Sequence, residues 1–397
     1  MDDPTQVPPG AGGDPPHEIV PAPPGAPSGV STPERVEWPA PGGWPMAPDT
    51  IAVDGEAERA ERGLWIWLGI VAVALVASVL FGEAQFGLFA AAGGTFAVAH
   101  AVERVPRWRL LHRFLNVIVT VGGALLFAGV VRFLRTTTLP PFERNVGIVA
   151  SLLAIVASLA LLLRPVVDLL VRSMFRGAAS TPVTRLAARI VTLALLMSAP
   201  LWVAFRGMLA LDLLKDMDLG GSSLWGSLIG LALLSLGGVG TFVRRTPAEA
   251  IARLGLCRFA PRDLLWLPLG VAGLAVLNTA IEWAQKTWFP AQWAFDQHVV
   301  GLMAGDLSRA ETVMLGVSAG FGEELAMRGA LQPRLGLALT ALLFAALHVQ
   351  YSWTGMGTIV LFGLALGLVR MRSSATTAIA IHAIYDMIAA FGAQQGR

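Results

Sequence analysis

The stretch LWIWLGIVAVALVASVLFG, residues 64–82, is nineteen residues long and contains no charged side chain. An α-helix rises 1.5 Å per residue, so about 20 apolar residues cross the roughly 30 Å hydrocarbon core of a bilayer. A helix also pairs its own backbone groups, which lipid cannot do. The stretch therefore predicts a transmembrane helix.

Similar stretches continue almost to the C-terminus and predict an all-α, polytopic transmembrane helix bundle. The 397-residue chain is 55% apolar and 14% charged, whereas a soluble domain carries about a quarter charged residues. We predict eleven spans, at residues 64–82, 84–101, 114–134, 146–163, 190–211, 223–243, 264–282, 311–330, 335–352, 354–370 and 374–393.

Arginine and lysine residues predict the orientation of the bundle. Alternating the loops between two sides places 20 of these residues on the side of the N-terminus and seven on the other. Since cytoplasmic loops are the basic ones, we expect a cytoplasmic N-terminus. We expect an integral protein of a bacterial inner (plasma) membrane.

Three regions are predicted. Residues 1–60 contain 14 of the 25 prolines, which disfavour helix and central strand, and predict a disordered tail. Residues 61–245 hold six spans with few polar residues, and residues 246–397 hold five spans with many. The basic loop 244–263, which contains an amphipathic stretch, separates the two.

Several classes of partner and site are excluded by composition. The net charge of +2 is too small to predict nucleic-acid binding, so we expect lipid and a peptide or protein as partners. The single cysteine, Cys257, excludes a disulfide framework and a thiolate zinc site built by this chain alone.

Ionisable side chains cluster in three of the last four spans. Each costs about 2.5–3.5 kcal/mol at the bilayer centre, so such residues should be rare, inward-facing and paired. Their spacing of four residues within two of the helices predicts two pairs, Glu324 with Arg328 and His382 with Asp386. Small residues beside the first pair predict a close approach of neighbouring helices. The clustered residues are Glu323, Glu324, Arg328, His348, His382 and Asp386.

The first six spans offer only isolated polar residues. His100, Arg206 and Arg132 have no partner at helical spacing. We interpret each as a satisfied contact between helices or as an arginine that reaches the interface.

The cluster has the groups for two kinds of hydrolysis. A glutamate in an apolar chamber can act as a general base on water, and a histidine can donate to an oxyanion. Glu323, His348 and His382 are equally a three-ligand set for zinc. The chain has no HExxH motif, and the residues leave both mechanisms open.

The motifs Glu323-Glu324-x-x-x-Arg328, Phe344-x-x-x-His348 and His382-x-x-x-Asp386 resemble those of the CPBP family. This is the CAAX-protease and bacteriocin-processing group of intramembrane proteases, also called the Abi or type II CAAX protease family. The resemblance covers about residues 250–395 and extends to CAAX prenyl protease 2-like proteins.

The resemblance implies an intramembrane glutamic endopeptidase without a cofactor. It implies that Glu323 activates water with His348, that Glu324 and Arg328 organise the site, and that His382 with Asp386 stabilises the oxyanion. Asparagine is commoner than aspartate at the last position. An ionised Asp386 only accepts hydrogen bonds, so it would orient His382 unless it is itself protonated.

Three alternatives stay open. The six additional spans and Asp386 also suit a non-catalytic membrane scaffold or an immunity-type relative. A zinc-dependent version of the protease would use the three-ligand set above. Carboxylates and histidines in membranes also form proton relays in transporters, although no inverted repeat is visible here.

Overall fold

The computed structural model describes residues 55–175, 177–213, 221–261 and 263–395, which form an all-α bundle. Its first seven helices are α1 (Gly55–Phe81), α2 (Ala84–Val102), α3 (Arg109–Leu134), α4 (Pro141–Ala160), α5 (Arg164–Met174), α6 (Pro182–Ala210) and α7 (Gly221–Gly238).

The second half begins with a short helix in the predicted basic loop. Its elements are α8 (Pro247–Leu254), α9 (Asp263–Trp288), α10 (Pro290–Ala304), α11 (Arg309–Val317), two π-helical segments (Ser318–Glu323 and Leu325–Leu331), α12 (Gln332–Ala346), α13 (Trp353–Arg372) and α14 (Ala375–Gln395). Side-chain caps mark several starts: the Thr246 hydroxyl accepts from the amide of Glu249 at the start of α8, and Ser308 does the same for Glu311 in α11.

The membrane character and the all-α class are confirmed. Within the described residues, nine helices are long and apolar enough to cross a bilayer, and they correspond to nine of the eleven predicted spans. These helices are α1, α2, α3, α4, α6, α7, α9, α13 and α14.

The remaining two predicted spans, 311–330 and 335–352, differ from plain spanning helices. The first becomes π-helical from Ser318 onward. The second is broken at Gly336, whose φ of 78° suits glycine, and leaves an apolar helix at Leu337–Ala346. Ten residues of helix reach only about 15 Å, so this element does not span by itself.

The N-terminal boundary also differs from the prediction. Helix α1 begins at Gly55, so residues 55–60 of the predicted tail are helical. The rest of that predicted tail, residues 1–54, lies outside the described residues.

The two halves of the described chain share buried contacts. Val191 and Leu193 of α6 belong to one buried apolar cluster with Met327, Leu343 and Phe344. On another side, the Ser318 hydroxyl donates to the Leu224 carbonyl of α7 over 2.8 Å. The first six predicted spans therefore pack directly against the elements that carry the clustered ionisable residues.

Candidate active site

A buried ion pair occupies the π-helical part of the bundle. Glu324 and Arg328 lie 3.0 Å apart, with side-chain exposures of 0% and 1%. The guanidinium also donates to the Gly363 carbonyl of α13 over 3.2 Å and lies over the Phe344 ring. The predicted pairing of these two residues is therefore observed, and it ties three elements together.

His382 of α14 is held between two carboxylates. Its Nδ1 lies 2.9 Å from Oε1 of Glu324, and its Nε2 lies 3.3 Å from Oδ2 of Asp386. The second contact is the pair predicted from helical spacing, whereas the first joins two helices. A neutral imidazole donates from one nitrogen only, so the two contacts require either an imidazolium that donates to both carboxylates or a protonated Asp386 that donates to Nε2.

Glycines allow α14, which carries His382, to lie close to the segment that carries Glu324. A Cβ at Gly316 would stand 2.5 Å from the Ala383 carbonyl oxygen, and one at Gly320 would stand 2.6 Å from the Ala383 nitrogen. The predicted close approach of small residues is thus observed against α14. Since Ala383 follows His382, the same contact sets the distance between His382 and Glu324. π-Helical turns are rare in proteins, and those that occur are often at functional sites. Here two π-helical segments carry Glu323 and Arg328.

His348 lies in the turn that follows α12, two residues beyond the helix end at Ala346. Its Nδ1 is 2.7 Å from the Phe344 carbonyl oxygen. Because a carbonyl oxygen only accepts, Nδ1 carries the hydrogen and Nε2 of the neutral ring is an acceptor. The Phe344 ring contacts both histidines, with centroids 4.6 Å from that of His348 and 6.1 Å from that of His382.

Glu323 faces the same group of side chains from the π-helical segment. It is half-buried and lies within electrostatic range of His348, His382 and Asp386. Within the described part of the chain, no side-chain hydrogen bond engages its carboxylate. Glu324 is fully buried and its Oε1 contacts both Arg328 and His382, so the two adjacent glutamates differ in how available they are for reaction.

The set Glu323, His348 and His382 does not fit a zinc site in this arrangement. Among the described residues, no three His, Cys, Asp or Glu side chains converge in a way that could hold a metal ion. Both ring nitrogens of His382 already face carboxylates. A ligating histidine needs one nitrogen for the metal.

Sequence reasoning missed the residues that hold the His348 turn. The Trp202 indole of α6 donates to the Tyr351 carbonyl over 2.9 Å. The Asp296 carboxylate of α10 accepts from the amide and the hydroxyl of Ser352 over 2.6 and 2.8 Å. Ser352 in turn caps α13, and its position before that helix was the one local signal available.

Tyr351 and Tyr385 were also missed, although they are the only two tyrosines in the sequence. Tyr351 lies within electrostatic range of Glu323 and Asp386, and Tyr385 within range of Asp386. Their scarcity was a signal that could have drawn attention to them.

The isolated polar residues of the first six spans lie away from this network. His100 contacts the Gly238 carbonyl over 3.1 Å, and Arg206 lies between the Trp202 and Phe295 rings, 4.2 and 4.6 Å from their centroids. Arg132 is exposed. These contacts fit a structural role, although Nδ1 of His100 and Nε of Arg206 have no hydrogen-bond partner within the described residues.

Comparison with known proteins covers the same part of the chain. The model of the family described as type II CAAX prenyl endopeptidase Rce1-like matches residues 307–388. The uncharacterized protein YpbD of Bacillus subtilis is 32% identical over 90 residues, which make up 23% of this chain and 47% of YpbD. The chain thus matches about half the length of this curated relative. No solved structure matches the chain.

The matched segment runs from just before α11 into α14 and contains all six clustered ionisable residues. The motifs that carried the resemblance therefore lie inside the matched segment. Residues 307–388 in the C-terminal region therefore resemble the type II CAAX prenyl endopeptidase Rce1-like family.

Proposed function

We propose that this protein is an intramembrane endopeptidase that hydrolyses a peptide bond with water activated by Glu323 and His348. The observation that carries the proposal is the convergence of these two residues with a buried network of Glu324, Arg328 and His382. Buried charges are costly, and a chain that needed only helix packing would gain little from a carboxylate left open beside them.

The first chemical step uses the open carboxylate and the oriented histidine. Glu323 takes a proton from water as the water oxygen attacks the scissile carbonyl carbon. The Nε2 lone pair of His348 accepts a hydrogen bond from the same water, because its Nδ1 hydrogen is committed to Phe344. The resulting bond is C–O, and the carbonyl electrons move to the oxygen.

The buried network supports the charge that develops on that oxygen. Glu324 holds His382 by Nδ1, which directs Nε2 toward Asp386. In the imidazolium form Nε2 also carries a hydrogen, and its contact to Asp386 is 3.3 Å, just beyond the usual N–H···O range, so a developing oxyanion can compete for that hydrogen. Arg328 neutralises Glu324. The proton on Glu323 then passes to the leaving amine as the C–N bond breaks.

Cleavage of membrane peptides by purified protein tests the proposal. Wild-type protein in liposomes is incubated with a library of synthetic transmembrane peptides, and new termini are identified by mass spectrometry. We expect cleavage by wild type and none by Glu323→Gln or His348→Ala, with His100→Ala as a folded control. Cleavage that survives both site substitutions would remove the proposed mechanism.

Metal analysis distinguishes the zinc-dependent version of the protease. We propose the metal-free form, since no three ligands converge among the described residues. Activity should persist after dialysis against a strong zinc chelator. Stoichiometric zinc that is lost together with activity would favour the alternative.

A non-catalytic scaffold is the second candidate. It is favoured by the buried contacts that join Glu324, Arg328 and His382, because such a network also locks helices together. It predicts that Glu323→Gln leaves the cellular phenotype of the protein unchanged while Arg328→Ala abolishes it. The protease predicts loss in both.

We propose a bacterial inner membrane, with the arginine-rich loops in the cytoplasm. The bias of 20 basic residues to seven supports this orientation. Reporter fusions after residue 138 and after residue 262 test it, because the first should be external and the second cytoplasmic. The reverse result would invert the orientation.

A further inference from the structure

A second concentration of charge lies outside the active site, at the arginine-rich end of the bundle. It comprises Arg245 after α7, Arg253 in α8, Arg334 in α12 and Arg370 in α13, which we call the arginine cluster. All four side chains are buried or half-buried. Other arginines at this end, such as Arg109 and Arg113, are exposed. The positive-inside tendency explains arginines at a membrane face, but it does not require that they be buried against one another.

The members of the arginine cluster face other cations. The charged side chains that act on Arg253 are Arg334, Arg245 and Arg370. Burial, reinforced by these neighbours, lowers the pKa of Arg253 to about 10, and burial with its own basic neighbours lowers the pKa of Arg245 to about 10. Both groups are still cations at pH 7. Their repulsion must be offset by something of opposite charge.

Three carboxylates near this end have partners other than Arg253. Glu249 acts on Arg245, but its carboxylate accepts from the Thr246 amide over 2.8 Å in the cap of α8. Glu103 lies 3.7 Å from Arg244, and Glu56 lies 3.1 Å from Arg104. The carboxylates near this end thus balance the flanking arginines rather than Arg253.

Backbone contacts hold the central arginines in place. Arg253 donates to the Gly329 carbonyl over 3.1 Å, and Arg245 donates to the Val239 carbonyl over 2.5 Å. The Arg370 guanidinium packs against Gly255, where a Cβ would stand 2.4 Å from its Nη2. A guanidinium has five N–H donors in a rigid fork, so the carbonyl contacts of Arg253 and Arg245 leave donors of these two groups for a ligand.

We infer that the arginine cluster binds a phosphate group between α8 and the adjoining ends of α12 and α13. Arginine forks match phosphate oxygens in a bidentate manner, and basic pockets between transmembrane helices bind anionic lipid headgroups. The phosphate neutralises Arg253 and Arg245 and joins α8 to the elements that follow the active-site π-helical segments. The ligand is the headgroup of an anionic lipid or a soluble phosphate, which present the same chemistry.

Binding is measured on purified full-length protein, independently of any protease activity. Native mass spectrometry counts retained lipid after exchange into phosphatidylglycerol or phosphatidylcholine, and thermal unfolding is followed in each lipid and in inorganic phosphate. We expect phosphatidylglycerol to be retained and to raise Tm, and high salt to weaken both effects. Stabilisation by inorganic phosphate alone would assign the site to a soluble phosphate.

Variants distinguish the contribution of the arginine cluster to lipid retention from that of exposed surface charge. Arg253→Gln and Arg245→Gln should each weaken retention about tenfold, because each removes a charge-assisted contact. Arg109→Gln removes one exposed charge and should leave retention unchanged. Arg253→Lys keeps the charge but not the fork and should lie between them, even if the glutamine variant folds poorly. Equal retention by wild type, Arg253→Gln and Arg253→Lys, or no preference for either phosphate, overturns the inference.

Discussion

His100 and His382 are both buried histidines, one in α2 and one in α14, and their partners differ in kind. His100 meets a backbone carbonyl, Gly238, at 3.1 Å, and its Nδ1 has no hydrogen-bond partner within the described residues. His382 meets two carboxylates, at 2.9 and 3.3 Å. Burial alone therefore does not mark a site, whereas convergence of ionisable groups from several helices does.

The largest difference in cleavage rate is expected between variants of Glu323, the open carboxylate, and variants of His100, the isolated histidine. Glu323→Gln removes the proposed base and should lower peptide cleavage by about 10²–10⁴-fold, the usual contribution of general acid–base catalysis. His100→Gln, the matched change in α2, should leave the rate within about twofold because its contact is structural. Rates of cleavage in liposomes measure both. A comparable loss of cleavage rate in the two variants would contradict the proposed difference between the two histidine regions.

A buried cation should matter more than an exposed one. Arg328→Ala leaves Glu324 buried without its partner and should cost about 3–5 kcal/mol of stability. Arg132→Ala in α3, an exposed position, should cost less than about 0.5 kcal/mol. Unfolding in detergent gives both values. The double variant Glu324→Leu, Arg328→Met should regain much of the stability while remaining inactive, which separates folding from chemistry.

Glycine contacts offer a third comparison between the regions. Gly320→Ala forces a Cβ against the Ala383 backbone and should cost about 1–3 kcal/mol, with reduced activity as His382 moves. Gly122→Ala in α3 meets nothing within 4 Å and should be neutral or stabilising by up to about 1 kcal/mol. Thermal unfolding and cleavage rates together test this pair. A neutral Gly320→Ala would mean that the π-helical segment Ser318–Glu323 and α14 can separate freely.

Substitution of Trp202 tests whether a residue of the first half of the chain helps to position His348 in the second half. Trp202→Phe keeps the aromatic body and loses the indole donor to Tyr351, worth about 1 kcal/mol. We expect about a fivefold lower cleavage rate, because the turn that carries His348 loses an anchor. Trp225→Phe, at an exposed position in α7, is the control. An unchanged rate for Trp202→Phe would show that the turn is held by Asp296 alone.

The smallest change is expected at Asp386. In Asp386→Asn the amide oxygen still accepts from His382, while the NH₂ group becomes a donor for an oxyanion. The cleavage rate should change by less than about tenfold, in either direction. Asp386→Leu removes both functions and should be worse. Equal cleavage rates for Asp386→Asn and Asp386→Leu would show that Asp386 does not orient His382.

Much of the candidate site was predictable because two of its contacts join residues that are close in the sequence. Glu324 with Arg328, and His382 with Asp386, are four residues apart on helices, and both contacts are observed. The helices themselves follow from apolar runs of sufficient length. The ninth predicted span, residues 335–352, differs from the structure because apolar composition does not reveal a break at Gly336, whose φ of 78° depends on how the chain turns there.

The amino-acid sequence by itself determined that the chain lies in lipid, where nine of its membrane-length helices lie and which segments carry ionisable residues. Helical period and hydrophobicity act over a few residues, so they can be read from neighbours. Tertiary structure alone decided that Glu324 meets His382, 58 residues away, and that Trp202 meets Tyr351, 149 residues away. It also decided which arginines face one another. Such contacts depend on close packing between helices, and packing is a property of the assembled bundle rather than of any segment.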